Sequence, residues 1–164
     1  MSKRFRYALM AAVAPLALTI PAAQAATPTQ TLVMAMDFAD LITFDPGESY
    51  EIVGQEYGAN IYDRLVRYEA EDLDKLVGGL AESWTISSDS KTFTFKLRQG
   101  MKYGNGDPVT ADDLAWSMQR VVLMDKTPAF LFTQLGWTKE NVKSLVTAPD
   151  AHILTGASTD PLMM

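Results

Sequence analysis

Residues Leu80 to Val121 read LAESWTISSDSKTFTFKLRQGMKYGNGDPVTADDLAWSMQRV, and their first half alternates. Trp84 and Ile86 fall on one side of an extended chain, Ser87 to Ser90 supplies a turn, and Phe93, Phe95 and Leu97 return on one side. Thr92, Thr94, Lys96 and Arg98 take the other side. Side chains of a strand alternate between two faces, so this spacing predicts a β-hairpin with one apolar face. A lone hairpin is at best marginal in water, because ordering two strands costs more than five half-covered side chains return. The apolar face needs a covering layer. The second half of the stretch offers one. Gly100, Gly104, Asn105, Gly106, Asp107 and Pro108 make a dense turn, after which Thr110 is placed to cap a helix with Asp113 reaching back to it. Leu114, Met118, Val121 and Val122 then recur at helical spacing as the buried stripe.

Outward from this block the pattern stays mixed. Thr31–Met36 (TLVMAM) is apolar at nearly every position and reads as a strand covered on both faces. Asp45-Pro46-Gly47 is a turn signal. Glu51 to Val66 reads as a helix with Ile52, Tyr57, Ile61, Leu65 and Val66 toward one face. Tyr68 to Lys75 is acidic and exposed. After the capped helix, Thr127-Pro128 ends the periodicity, Pro128 to Leu135 makes a short helix, and Trp137 to Asn141 turns. Lys143–Thr147 and His152–Thr155 are expected to form a second hairpin joined through Ala148 to Ala151. After Leu154 the apolar alternation fades, and residues 156–164 read as a truncated or frame-shifted tail.

The N-terminus carries an export signal. Lys3, Arg4 and Arg6 precede the apolar run Ala8–Ile20, and Ala23-Gln24-Ala25 has the small residues that signal peptidase needs, placing the cut after Ala25. The run is short of the ~20 residues of a spanning helix and contains Pro15, so stable membrane insertion after cleavage is not expected. Position 26 is alanine, which leaves no cysteine for lipid attachment. Without residues 1–25 the chain has 11 basic and 20 acidic side chains, a net charge of −9. That balance disfavours nucleic acid and anionic bilayers as partners. With no cysteine and one histidine, His152, neither a disulfide nor an ordinary zinc site is expected.

Candidate residues each have a plainer reading beside the functional one. Met36, Asp37 and Phe38 follow the expected first strand, and α/β proteins place ligands outside the carboxyl ends of strands, so these three are the ligand-binding candidates; the plainer reading is a solvated loop. Asp112 and Asp113 resemble an acid–base pair, but capping and the helix dipole account for both. The acidic run Glu69, Glu71, Asp72 and Asp74 lacks the glycine and terminal glutamate of a calcium loop. The glycines at 100, 104 and 106 are followed by no Gly-Lys-Ser/Thr. Trp84 is assigned to the core, Trp116 to a second packed surface, and Trp137 to neither. No catalytic set, metal site or cofactor motif emerges, and a small exported hydrolase would need a nucleophile and base that the sequence does not pattern.

Taken together, Leu80–Trp84, Leu97–Tyr103 and Gly106–Arg120 resemble the signature of the family 5 bacterial extracellular solute-binding proteins, to which dipeptide- and oligopeptide-binding proteins belong. Leu41–Pro46 and Asn60–Val66 are similar to that family's first loop and helix. One departure is Gly104-Asn105, where members often carry a polar residue and aspartate. The resemblance implies a mixed α/β (α+β) fold, a partial first lobe of a periplasmic-binding-protein type II-like architecture. It implies a signal peptide at 1–25, a solute-binding region at 26–155 and the tail at 156–164. It implies a monomeric periplasmic receptor without catalysis or cofactor, binding a peptide and docking on the inner-membrane permease subunits of an ABC importer. Receptors for nickel, an opine or an oligosaccharide are the alternatives within the family. Members run about three times this length, a multi-domain range.

Overall fold

A computed structural model describes residues 28–160. The expected signal peptide, its expected cleavage site after Ala25 and the last four residues lie outside the described part. The chain divides into two units, with the division between Ala35 and Met36. In the first, the Thr31 N–H closes a turn onto the Pro28 carbonyl, and Leu32, Val33 and Met34 stand exposed. The strand expected at Thr31–Met36 does not form. A strand covered on both faces needs neighbours to its ladder, and no described strand pairs with it.

The second unit is built on a four-stranded antiparallel sheet. Its strands are β3 (Ala81–Ile86), β4 (Thr92–Leu97), β5 (Val146–Asp150) and β6 (Ile153–Ala157), in the order β3-β4-β6-β5. The first hairpin forms as its alternation predicts, with Trp84 opposite Phe95 and Ile86 opposite Phe93. Phe95 in turn pairs with Leu154, and Phe93 with Gly156. The opposite face carries a row of threonines, Thr85, Thr94, Thr155 and Thr147, one from each strand and in register across the sheet. Threonine suits this position because its branched Cβ fits the pleat while its hydroxyl meets water.

The covering layer is α2 (Ala111–Met124), which lies over β5 and β6. Thr110 caps it as expected: the Thr110 hydroxyl oxygen accepts from the Asp113 amide at 3.4 Å, and the Asp113 carboxylate accepts from the Thr110 amide at 2.8 Å. Ala111, Ala115 and Val122 are its buried positions, with Leu114 and Met118 packed beside them. They meet Leu97, Val142, Val146 and Leu154 in a single core. A 3-10 turn at Thr127–Ala129 leads into α3 (Phe130–Thr133), and α4 (Val142–Leu145) closes the layer.

Two elements of this unit differ from the sequence-based expectation. The first helix, α1, spans Ile52–Ile61 and stops short of Val66, and Ile52 is 84% exposed. It stops because later backbone claims the following residues: Leu80 N–H donates to the Arg64 carbonyl, and Gly79 and Ala81 N–H groups donate to that of Leu65. Val66–Tyr68 instead forms β1, paired with β2 (Leu76–Gly78) in a separate ribbon. The second hairpin is displaced toward the C-terminus. Residues 142–145 are helical, held by Ser144 and Leu145 N–H groups on the Asn141 carbonyl, and β5 starts at Val146. Pro149 is accommodated because β5 is an edge strand with a register shift between Thr147 and Asp150. The expected boundary at residue 155 falls inside β6, whose Gly156 and Ala157 pair with Phe93 and Thr92.

Candidate functional site

The loop before α1 is fastened to α2 by a two-point ion pair. Arg120 Nη1 donates to Asp45 Oδ1 at 2.9 Å, and Arg120 Nη2 donates to Asp45 Oδ2. Asp45 Oδ1 also accepts from the Gly47 amide at 2.8 Å, and the Asp45 amide donates to the Thr43 hydroxyl at 3.1 Å. The Arg120 hydrogen bond, followed by that from Gly47, pulls the Asp45 pKa from 3.8 down to about 2. The same bond raises that of Arg120. A Cβ at Gly47 would stand 2.9 Å from Arg120 Nη1, so a larger residue there would push the guanidinium out of its present place. The D-P-G turn and the S-x-x-R end of the helical motif are therefore two halves of one clamp.

Around this clamp lies an open concavity of about 930 Å³. Phe44 comes from the loop, Trp116 and Arg120 from α2, and Tyr103 from the turn before it. The Arg120 guanidinium lies 5.8 Å from the Trp116 ring centre, within range of a cation–π attraction. Phe44 packs against Tyr57 of α1 with ring centres 4.2 Å apart and the planes tilted by 41°. Burial, followed by the charge of Asp113, raises the Tyr103 phenol pKa. Trp116 is 62% exposed, so the second packed surface expected for it is an open wall of this concavity.

Met36, Asp37 and Phe38 lie apart from it, on a turn in which the Asp37 carboxylate accepts from the Ala39 amide at 2.9 Å and the Phe38 carbonyl accepts from Leu41 N–H. Met36 is half-buried, Asp37 is exposed, and Phe38 is 50% exposed. His152 is exposed at the tip of the β5–β6 hairpin. Trp137 proves to be the core tryptophan. It is 5% exposed, stacks on Phe132, and donates from Nε1 to the Ala157 carbonyl at 2.6 Å. Trp84, assigned to the core, is only half-buried on edge strand β3. Among the described residues no group of histidine, aspartate and glutamate side chains is placed to hold a metal ion. No described helix is long and apolar enough to cross a membrane.

The model of the bacterial extracellular solute-binding proteins, family 5 Middle, matches residues 75–161, from β2 through the end of β6. The chain belongs to this family. A family 5 relative, the probable D,D-dipeptide-binding periplasmic protein DdpA of Escherichia coli, is 34% identical over 161 residues, covering 96% of this chain and 29% of that protein. The nickel-binding periplasmic protein of Escherichia coli is 40% identical over 62 residues, 38% of this chain and 12% of that protein. The crystal structure of Haemophilus influenzae OppA in complex with RPPGFSPFR superposes with a TM-score of 0.65 at 30% identity, over 73% of this chain and 25% of that one. The chain thus spans less than a third of the relatives it matches. Its mixed α and β body is a partial piece of the periplasmic-binding-protein type II-like fold. The clamp residues Asp45 and Arg120 were each inside a motif of the family resemblance, but nothing in the spacing joined them.

Proposed function

We propose that this chain is the N-terminal part of the substrate-binding component of an ABC importer, taking peptides in the periplasm and presenting them to an inner-membrane permease. The observation that carries this reading is that 73% of the chain superposes on a peptide-bound OppA, while sequence similarity to a D,D-dipeptide-binding relative runs along nearly the whole chain. In this reading the chain is exported, cut after Ala25, and works as a monomer by reversible binding, without catalysis. An extended peptide pairs its main chain with protein strands inside a cleft, and ligand shifts the receptor toward closure by its higher affinity for the closed state. Met36, Asp37 and Phe38 are proposed to line that cleft, with Phe38 offering an exposed ring to a ligand side chain.

The test is a thermal-shift screen of the complete reading frame that carries this chain, with di- and tripeptides, nickel and oligosaccharides as probes. A peptide at a hundredfold its dissociation constant stabilises the receptor by about 2.7 kcal/mol, a readily measured rise in melting temperature. A rise with nickel alone, as the nickel-binding relative makes conceivable, overturns the peptide assignment and keeps the family. Mass spectrometry of the exported protein checks that its first residue is Ala26.

A further inference from the structure

On the side of the molecule where the β1–β2 ribbon meets the main sheet lies a second open concavity, of about 940 Å³. Four basic side chains line it: Arg64 after α1, Arg67 in β1, Arg98 after β4, and Lys102 in the glycine-rich turn. The tyrosines Tyr62 and Tyr68 stand among them. Two carboxylates, Asp63 and Glu69, share the lining and leave it at +2, in a chain whose total charge is −6. Among the described residues none of the four cations makes an ion pair, whereas four other basic residues do. Glu69 and Asp72 of the nearby acidic loop accept from amides of their own loop, and neither makes an ion pair with the four cations.

The cations are held by backbone. The Leu80 N–H donates to the Arg64 carbonyl at 2.8 Å, and the Arg98 N–H donates to the Leu80 carbonyl at 3.0 Å, so one residue sets both arginines side by side. Arg98 Nε donates to the Gly79 carbonyl at 2.9 Å, which fixes the guanidinium and leaves its terminal nitrogens for another partner. Only glycine permits this floor: a Cβ at Gly79 would stand 2.0 Å from the Arg64 carbonyl oxygen. The Arg67 backbone is placed by its register opposite Val77, and that of Lys102 by its bridge to Pro108, with both side chains exposed. The held Arg98 guanidinium is a planar fork of the kind that matches oxyanions, and guanidinium groups gathered without ion-pair partners repel one another until an anion arrives.

We propose that this concavity is a binding site for a phosphate-type oxyanion, with Arg64, Arg98 and Lys102 as its principal ligands and Arg67 at its rim. The proposal rests on this geometry and not on the importer reading. The anion is either a free small molecule or a phosphate headgroup at a bilayer surface, and two arms of one experiment separate the sources. Pyrophosphate is titrated into the protein and followed by amide NMR and melting temperature. In parallel, the protein is cosedimented with phosphatidylcholine vesicles with and without phosphatidylglycerol. The expected result is saturable, salt-sensitive binding in at least one arm, with amide shifts confined to residues 62–80 and 98–109. Arg64→Gln combined with Arg98→Gln is expected to weaken it at least tenfold, Lys102→Gln about threefold, and Lys139→Gln, remote from the concavity, not at all. Pyrophosphate binding assigns a free anion, and binding to anionic vesicles alone assigns a headgroup. No binding in either arm overturns the proposal, as does equal loss with Lys139→Gln. Should the double variant lose its native melting transition, Lys102→Gln decides: unchanged affinity there also overturns it.

Discussion

Replacing Asp45 by asparagine tests whether the clamp to α2 contributes stability through its charge. Asparagine keeps the shape and leaves an oxygen for the Gly47 amide, so the change removes chiefly the ionic half of the Arg120 contact. The Asp45 pKa of about 2, against 3.8 for an unperturbed carboxylate, corresponds to about 2 kcal/mol at roughly 1.4 kcal/mol per pKa unit. Both side chains remain about a third exposed, at 31% and 33%, so solvent screening lowers the expected cost to about 1 kcal/mol. The sign follows from linkage. A carboxylate whose pKa is depressed by folding adds stability that is fully present above the unfolded value, near 3.8, and is lost as pH falls through about 2. Urea unfolding of wild type, Asp45→Asn, Arg120→Met and the double variant gives the coupling energy by a double-mutant cycle. At pH 7 the coupling should be about 1 kcal/mol, and Asp45→Asn should lower the melting temperature by about 3–5 °C. At pH 2 the coupling should have shrunk by at least half. The cycle cancels the titration of other acids, including Glu51, Asp89 and Glu140, whose pKa values are also lowered. A coupling indistinguishable from zero at pH 7, or one that does not change between pH 7 and pH 2, refutes the assignment of the clamp as a charged tie.

Thr110→Ala removes the hydroxyl that receives the Asp113 amide and should cost about 1 kcal/mol in urea unfolding, by loss of the cap of α2, the longest of the described helices. Gly79→Ala drives a Cβ against the Arg64 carbonyl oxygen, and should destabilise by more than the cap loss, with amide shifts centred on residues 64–66. Trp137→Phe keeps the stacking on Phe132 but loses the hydrogen bond to Ala157, for about 1–2 kcal/mol by thermal unfolding. The same variant should shift the native fluorescence to the red, because Trp137 is buried while Trp84 is half-buried and Trp116 is exposed.

What the sequence disclosed was local. The β3–β4 hairpin was legible because Trp84, Ile86, Phe93, Phe95 and Leu97 alternate without interruption, and the cap because Thr110 and Asp113 lie three residues apart. The features that escaped it depend on partners distant in the chain. Leu65 and Val66 continue a helical pattern, but Gly79–Ala81 capture the backbone there and draw it into a ribbon. Residues 143–145 have strand-like neighbours, yet Asn141 offers a carbonyl that winds them into a turn first. Asp45 and Arg120 are separated by 75 positions, and surface aspartates and arginines are too common for their pairing to be read from spacing. Trp137 sits outside any periodic segment, so its burial follows only from the return of β6 beneath it. The ligand candidates Met36, Asp37 and Phe38 were argued from an expected strand that does not form in the described residues, and their role now rests on the importer reading.

The residues that identify the family are, on this structure, residues of the scaffold. Leu97 ends the inner strand β4 and is wholly buried, the turn from Gly100 to Pro108 carries the chain off the sheet, Thr110 and Asp113 start α2, and Arg120 ties the loop to it. The two hairpins β3–β4 and β5–β6 are local in sequence, and only the β4–β6 pairing joins them. That junction is extended by Ser158, whose amide donates to the Lys91 carbonyl at 2.7 Å and whose hydroxyl donates to that of Leu135. Helix α2 lies over β5 and β6, and its Ala111, Ala115 and Val122 share one core with Leu97 of β4, so packing the helix and zipping the hairpins depend on each other. A signature that specifies this joint fixes how the body folds and leaves the choice of solute to other residues. Relatives named for D,D-dipeptides, oligopeptides and nickel each match part or most of this chain. Substitutions at Leu97, Thr110 or Arg120 should therefore move the melting temperature and leave the order of solute preference unchanged; a reversal of that order by any of them would place part of the signature in the binding surface itself.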